Sequence, residues 1–333
     1  MKTWKYLLWI AGLLTSVHAT AQSNNEVSIY AGGGVSTLLY SSSALQSSYE
    51  PGGHIGIGYT FFFTTEWGIG TGAELTLLNA GASFPLLSDA YNANDGSDPF
   101  IFHYTVYDYS EKIQMYSANI PLMIYYRSPV NPSMTFYAGL GGKVSIPLQN
   151  TVTATMPKAT TAGYYSAYHV DLHMPAFRGF GTFENLTLDG APTFKMYYIA
   201  SAETGLKWRI SSNWSIYTGL YVDYGLTSIV DGEQDKPFIP YNETAWNVNP
   251  VSYHHSALVS SYARNTPMVD KFISDNFETE TEITIGNQQP LAGNVTTLAA
   301  GLKIKVIFGQ SGEKKHCLPC LRYELDQRGT KKK

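Results

Sequence analysis

WSIYTGLYVDYGL (Trp214–Leu226) is the stretch whose reading decides the fold. In an extended chain Trp214, Ile216, Thr218, Leu220, Val222, Tyr224 and Leu226 share one face, and Ser215, Tyr217, Gly219, Tyr221, Asp223 and Gly225 share the other. One face is almost wholly apolar. The other mixes glycine, hydroxyls and an acid. The segment also outruns the usual globular strand of about 5–6 residues. An apolar outside and a polar inside over such a length describe a strand with lipid on one side and a lumen on the other.

The alternation recurs on both sides of this stretch. Met196, Tyr198, Ala200, Ala202, Thr204, Leu206, Trp208 and Ile210 alternate with Tyr197, Ser201, Glu203, Gly205, Lys207 and Arg209. Near the end, Leu298, Ala300, Leu302, Ile304, Val306 and Phe308 alternate with Ala299, Gly301, Lys303 and Lys305. About eight such strands are expected, over 27–40, 53–63, 67–82, 113–127, 134–148, 195–210, 214–230 and 294–308. Their connections alternate in length. Those at 64–66, 128–133 and 211–213 are short, and those at 41–52, 83–112, 149–194 and 231–293 are long. Transmembrane barrels have that rhythm because periplasmic ends are tight turns and external ends are loops. The fold class expected is all-β: an antiparallel transmembrane β-barrel with short periplasmic turns and long extracellular loops.

Composition agrees. Charged residues make up 14% of the chain, against roughly 25% in soluble domains. Tyrosine reaches 25 residues and glycine 30. A net charge of −4 leaves no nucleic-acid footprint. At the start, Lys2 and Lys5 precede the apolar run Leu7–Leu14, which is too short for a membrane helix, and Ala19-Thr20-Ala21 offers a cleavage site. Residues 1–21 are therefore expected to be a signal peptide and 22–308 the barrel. After Phe308 the alternation stops and Lys314, Lys315, Arg322, Arg328 and Lys331–Lys333 follow, so 309–333 is expected to be a basic periplasmic tail. The two cysteines, Cys317 and Cys320, both lie in it, so no disulfide framework holds the fold.

Aromatic residues gather at strand ends. Phe61, Phe63, Trp67, Tyr126, Phe136, Trp208, Trp214 and Phe308 lie beside the short turns and are expected to form an interfacial girdle, with Tyr40, Tyr116, Tyr198 and Tyr224 nearer the loops. The lumen face carries charges. Glu74, Lys143, Glu203 and Asp223 fall near mid-barrel, with Lys207 and Lys303 slightly toward the periplasm. Charges inside a membrane persist only when paired or hydrated, so an interior ion-pair network is expected, with Lys143 or Lys207 as partners of Glu203. Such a network either plugs the lumen or lines a selective pore. A barrel this small has room for little beyond side chains, which favours the plug.

Other constellations are weaker. His169, Asp171 and His173 share a face in an extended loop and are candidate metal ligands, with His254 or His255 completing a set, but no spacing motif supports them. His254, His255, Ser256 and Asp270 contain the residue types of a hydrolase triad without a nucleophile elbow. Gly32-Gly33-Gly34 lies within a strand and is expected to mark a bulge or tight packing rather than a phosphate loop.

YSANIPLMIYY (Tyr116–Tyr126), FYAGLGGKVSIPL (Phe136–Leu148), AETGLKWRI (Ala202–Ile210) and WSIYTGLYVDYGL resemble strands of the outer-membrane protein A-like, or porin-family, β-barrel domain of Gram-negative outer membranes. Relatives with this barrel often continue through a Cys- and Pro-containing linker into a peptidoglycan-binding domain. Cys317-Leu318-Pro319-Cys320 resembles the linker's start, and with Lys333 as the last residue the expectation is a barrel without that domain.

The function expected is therefore that of a structural and surface-interaction protein of the outer membrane. Its partners would be outer-membrane lipid and external ligands or host surfaces met through the long loops. No cofactor, nucleic acid or enzymatic role is expected. A narrow porin is the alternative, and a surface enzyme a more distant one.

Overall fold

The alternation becomes eight antiparallel strands in a computed structural model that describes residues 25–190, 192–211, 214–242, 250–263 and 285–308. They are β1 (Asn25–Tyr40), β2 (Gln46–Phe62), β3 (Trp67–Asn94), β4 (Pro99–Asn131), β5 (Met134–Thr155), β6 (Tyr197–Arg209), β7 (Trp214–Gly225) and β8 (Val295–Phe308). Each pairs with its neighbours in sequence, and β1 also pairs with β8, so the sheet closes into a ring. Closure leaves no unpaired edge to face hydrocarbon. Phe308, the last ring residue, is in register with Val27 on one side and Trp214 on the other. The expected signal peptide, Asp270, the two cysteines and the expected basic tail lie outside the described residues.

The period-two pattern sorts the side chains as expected. Ile55, Ile57, Ile69, Leu122, Leu140, Leu220, Leu302 and Ile304 are exposed on the outer surface, while Glu74, Lys143, Glu203, Lys207, Asp223 and Lys303 are buried inside. Glycines on the lumen side make room for rings from adjacent strands. A Cβ at Gly70 or at Gly139 would stand 2.6 Å from the ring of Tyr125, which lies between them. Gly32 likewise faces the His54 ring. The pairing of β1 with β8 runs unbroken through Gly32–Gly34, so these glycines serve close packing and not a bulge.

Differences appear at the external ends. Residues 83–112, expected as a connecting loop, continue β3 and β4 as a hairpin stem in register from Ser83↔Ser110 to Asn94↔Pro99. FIFHYTVYDY (100–109) is rich in strand formers, and Asp95-Gly96 supplies the turn. There the Asp95 carboxylate accepts the N–H groups of Ser97 and Asp98 at 2.9 and 2.8 Å, and Gly96 takes φ 92°. β5 continues to Thr155, and residues 158–165 pair against the stem. β2 begins at Gln46, so the first external connection is shorter than expected, whereas β7 stops at Gly225.

These extensions and the third and fourth external connections build a head with its own apolar core. Phe84, Phe100, Phe102, Tyr104 and Tyr109 of the stem pack with Phe180, Phe238, Ile239, Val251, Leu258 and Leu291. Rings meet edge-on or stacked, with Phe84–Tyr109 centroids 4.9 Å apart and Phe84–Phe238 5.6 Å apart. The same cluster includes Leu38, Leu78, Ile113, Met115, Ile199 and Val295 of the ring strands. The fourth connection therefore sits in the external mouth of the barrel.

Candidate functional site

Among the described residues, three ion clusters occupy the lumen below that apolar core. In the first, Lys143 on β5 donates to Glu74 Oε1 on β3 at 3.0 Å and to Asp223 Oδ2 on β7 at 2.8 Å. Asn119 on β4 donates to Glu74 at 3.0 Å, and His54 Nε2 stands 4.0 Å from it. In the second, Lys303 and Lys305 on β8 both donate to Glu203 on β6, Lys303 at 2.7 Å. Their ammonium groups also lie over the rings of Tyr30 and Tyr125, at 4.2 and 4.6 Å from the centroids. In the third, at the turn end, Glu26 on β1 accepts from Lys207 at 2.7 Å, Arg127 at 3.1 Å and the Tyr217 hydroxyl at 3.2 Å.

Each cluster joins strands across the ring, so every charge is met by a side chain from another wall. Such pairs compensate the desolvation of charge in a low-dielectric interior only when each member stays bonded. All six lumen charges read from the sequence lie in these clusters, but the pairing differs from the expectation. Glu203 is held by Lys303 and Lys305; Lys143 belongs to Glu74 and Asp223, and Lys207 to Glu26. The neighbours differ because strand tilt and stagger displace residues that look level in sequence. Glu26, Lys305, Arg127 and His54 join the clusters beyond those six. The alternation of β1 and β8 places Glu26 and Lys305 on the lumen face, and that signal was available.

His54, Glu74 and Asp223 bring potential metal-ligating atoms within 4.8 Å of one another. The ammonium of Lys143 already stands between the two carboxylates, so the place a cation would take is filled by the chain. At the turn end, Phe61, Phe63, Trp67, Phe136, Trp208, Trp214 and Phe308 are exposed and Tyr126 is half-buried, its ring 5.0 Å from that of Trp67. Tyr116, Tyr198 and Tyr224 are exposed at the opposite end.

The weaker loop candidates come together only in part. Asp171 accepts from His103 Nε2 at 2.9 Å and contacts His173 Nε2 at 3.2 Å, while exposed His169 turns away with φ 50°. His254 is buried against Tyr109 and Phe238, remote from that group, and Nδ1 of His255 contacts the Pro237 carbonyl. Ser256 donates to the buried carboxylate of Glu111 and not to a histidine, so no triad forms among the described residues.

That last bond belongs to a pair of latches. Glu111 also accepts the Ala257 N–H at 2.9 Å and the Tyr109 hydroxyl at 2.8 Å. Asp89 accepts the Ala263 N–H at 2.7 Å and the Tyr104 hydroxyl at 2.8 Å. Both carboxylates are buried, and neither is paired with a cation among the described residues. Burial pushes both of their pKa values up, against the opposing effect of these hydrogen bonds.

Known proteins bear on this architecture. Residues 20–231 match the family model of the outer membrane protein β-barrel domain. Among proteins of curated function nothing matches. Of solved structures, OprG from Pseudomonas aeruginosa aligns over 86% of this chain and 97% of its own, at 8% identity and a TM-score of 0.32. Ail, the attachment invasion locus protein of Yersinia pestis, solved with the heparin analogue sucrose octasulfate, aligns over 86% of this chain and 99% of its own, at 11% identity and a TM-score of 0.27. Scores this low carry no functional argument. The family match, spanning well over half of the sequence, does carry one: the chain belongs to the outer membrane protein β-barrel domain family, and the apolar surface that its strands turn outward faces the lipid of a Gram-negative outer membrane.

Proposed function

We propose that the protein is a sealed barrel, its lumen plugged by its own ion pairs, that holds an external head for surface interaction. The observation that carries this reading is how little space the side chains leave around the second and third clusters. The cavity there, beside Glu26, Tyr30, Tyr125, Tyr217, Lys303 and Lys305, measures about 30 Å³. That is room for roughly one or two waters and not for a hydrated solute. The apolar lid of Phe238, Ile239, Leu258 and Leu291 supports the same reading from the external side. The protein has no catalytic role in this proposal. Residues 1–21 act as a cleaved export signal, and 309–333 as a basic periplasmic tail.

Planar-bilayer recording of the purified protein tests the plug. The expected trace is flat, with at most brief openings. Steady single-channel steps from the unmodified protein would replace this reading with that of a narrow porin.

A further inference from the structure

The far tip of the head carries a groove of about 410 Å³. It lies where the hairpin turn meets the third external connection. Tyr168, Phe177, Val170 and Leu172 form its walls, and Asp98 and Arg178 supply the charges. This volume falls in the range of about 300–1,000 Å³ typical of ligand sites.

Two properties of the groove narrow what it accepts. First, its rim is apolar although it lies above the lipid belt. Tyr168 is 62% exposed, Phe177 63% and the neighbouring Met174 75%. Exposed apolar groups gathered in one patch mark a contact surface. Second, its charges are unequally engaged. Asp95 is buried and held by the Arg178 guanidinium at 3.0 Å, the Tyr165 hydroxyl at 3.0 Å and two backbone N–H groups. Asp98 lends its backbone to the turn, but its carboxylate has no partner among the described residues. The groove therefore presents one uncompensated negative charge between aromatic faces.

The surroundings carry the same sign. Among the described residues of 83–112, 149–195 and 226–263, eleven carboxylates stand against five lysines and arginines. A polyanion meets repulsion here, and a cation is drawn in. Aromatic faces beside a carboxylate suit a cationic head on an apolar stem, because the rings attract the charge and cover the methylenes. The exposed Met174 and Phe177 add apolar surface that could pack against the surroundings of such a side chain.

We propose that this groove holds a lysine or arginine side chain presented by a partner protein. The proposal rests on the head being the interaction surface of a sealed barrel. Conductance tests the seal separately, so an empty groove on a non-conducting barrel removes this inference alone.

The test uses the full-length protein in nanodiscs, passed over immobilised Gly/Ser peptides with a central Arg, Lys, Leu or Glu. The Arg and Lys peptides should capture it, less so at high salt, and the Leu and Glu peptides should not. Asp98→Asn, at a half-buried position of the head that leaves the ring untouched, should weaken capture about fivefold. Tyr168→Ala should weaken it as well. Free arginine amide serves as competitor and should displace the protein only at concentrations far above the peptide's. The proposal is overturned if the Arg and Lys peptides capture nothing, if Asp98→Asn captures as well as the parent, or if the Leu or Glu peptide binds equally. Competition by arginine amide at the peptide's own affinity also overturns it, by showing a small-cation site with no need of a protein partner.

Discussion

Glu203 divides its two oxygens between Lys303 and Lys305, and among the described residues no other carboxylate bonds either lysine. Glu203→Gln keeps the volume and removes the charge that bonds both of them. Two buried ammonium groups without a counter-charge should cost about 3–5 kcal/mol. The variant is expected to unfold at lower temperature in detergent and to show more channel openings in a bilayer. Unchanged melting together with an unchanged trace would mean that this cluster seals nothing. In the head, pH has a sign that can be worked out. The folded pKa values of Glu111 and Asp89 are raised, so the folded head binds their protons more tightly than the unfolded chain does. Their contribution is complete below the ordinary carboxylate range and is lost as pH rises through the raised values. Amides at 256–263 should therefore exchange more slowly near pH 5 than near pH 7, after correction for intrinsic rates. Glu111→Gln should flatten that trend, and faster corrected exchange at the acidic pH would contradict it.

Strands and turns were the most legible elements. The segments at 27–40 and 134–148 lie within β1 and β5, and 294–308 matches β8 to within one residue, because lipid and lumen enforce a strict two-residue period. The period weakens where the stem leaves the membrane, since residues 100–106 are largely buried on both faces, and the sequence there lacks the alternation that marks the ring strands. Asp95-Gly96 between β-forming runs was a hairpin signal, and loop parity masked it. Parity still assigns the ends. Epitope tags inserted after Asn185 or after Asp231 should be reached by antibody on intact cells. Tags within 129–131, beside the turn that joins β4 to β5, should be reached only after the outer membrane is opened. The reverse pattern would invert the barrel.

At the scale of the whole molecule, the ring was legible and the head was not. Eight alternating segments demand a closed sheet, because open edges have no place in hydrocarbon. The head core has no such local signature. Phe84, Phe102, Phe180, Phe238 and Leu291 come from connections far apart in sequence, and only the folded chain brings them together. The lumen falls between these cases. Its charges follow from the alternation, but Glu26 with Lys207, or Lys303 with Glu203, depends on the stagger of strands around the ring.

The seam between β1 and β8 bears on the order of assembly. It joins the first and last strands of the ring, so chain synthesis and export must both be finished before it can zip. Non-local closure of this kind is slow, because loop entropy is lost before most contacts form. The plug proposed above would add a constraint of its own. A lumen sealed in that way would leave no passage for a polypeptide, so the segments that become the head would have to be outside before the seam shuts. The aromatic core that gathers over the mouth packs against the last strands, and closure of the ring is completed at this one junction.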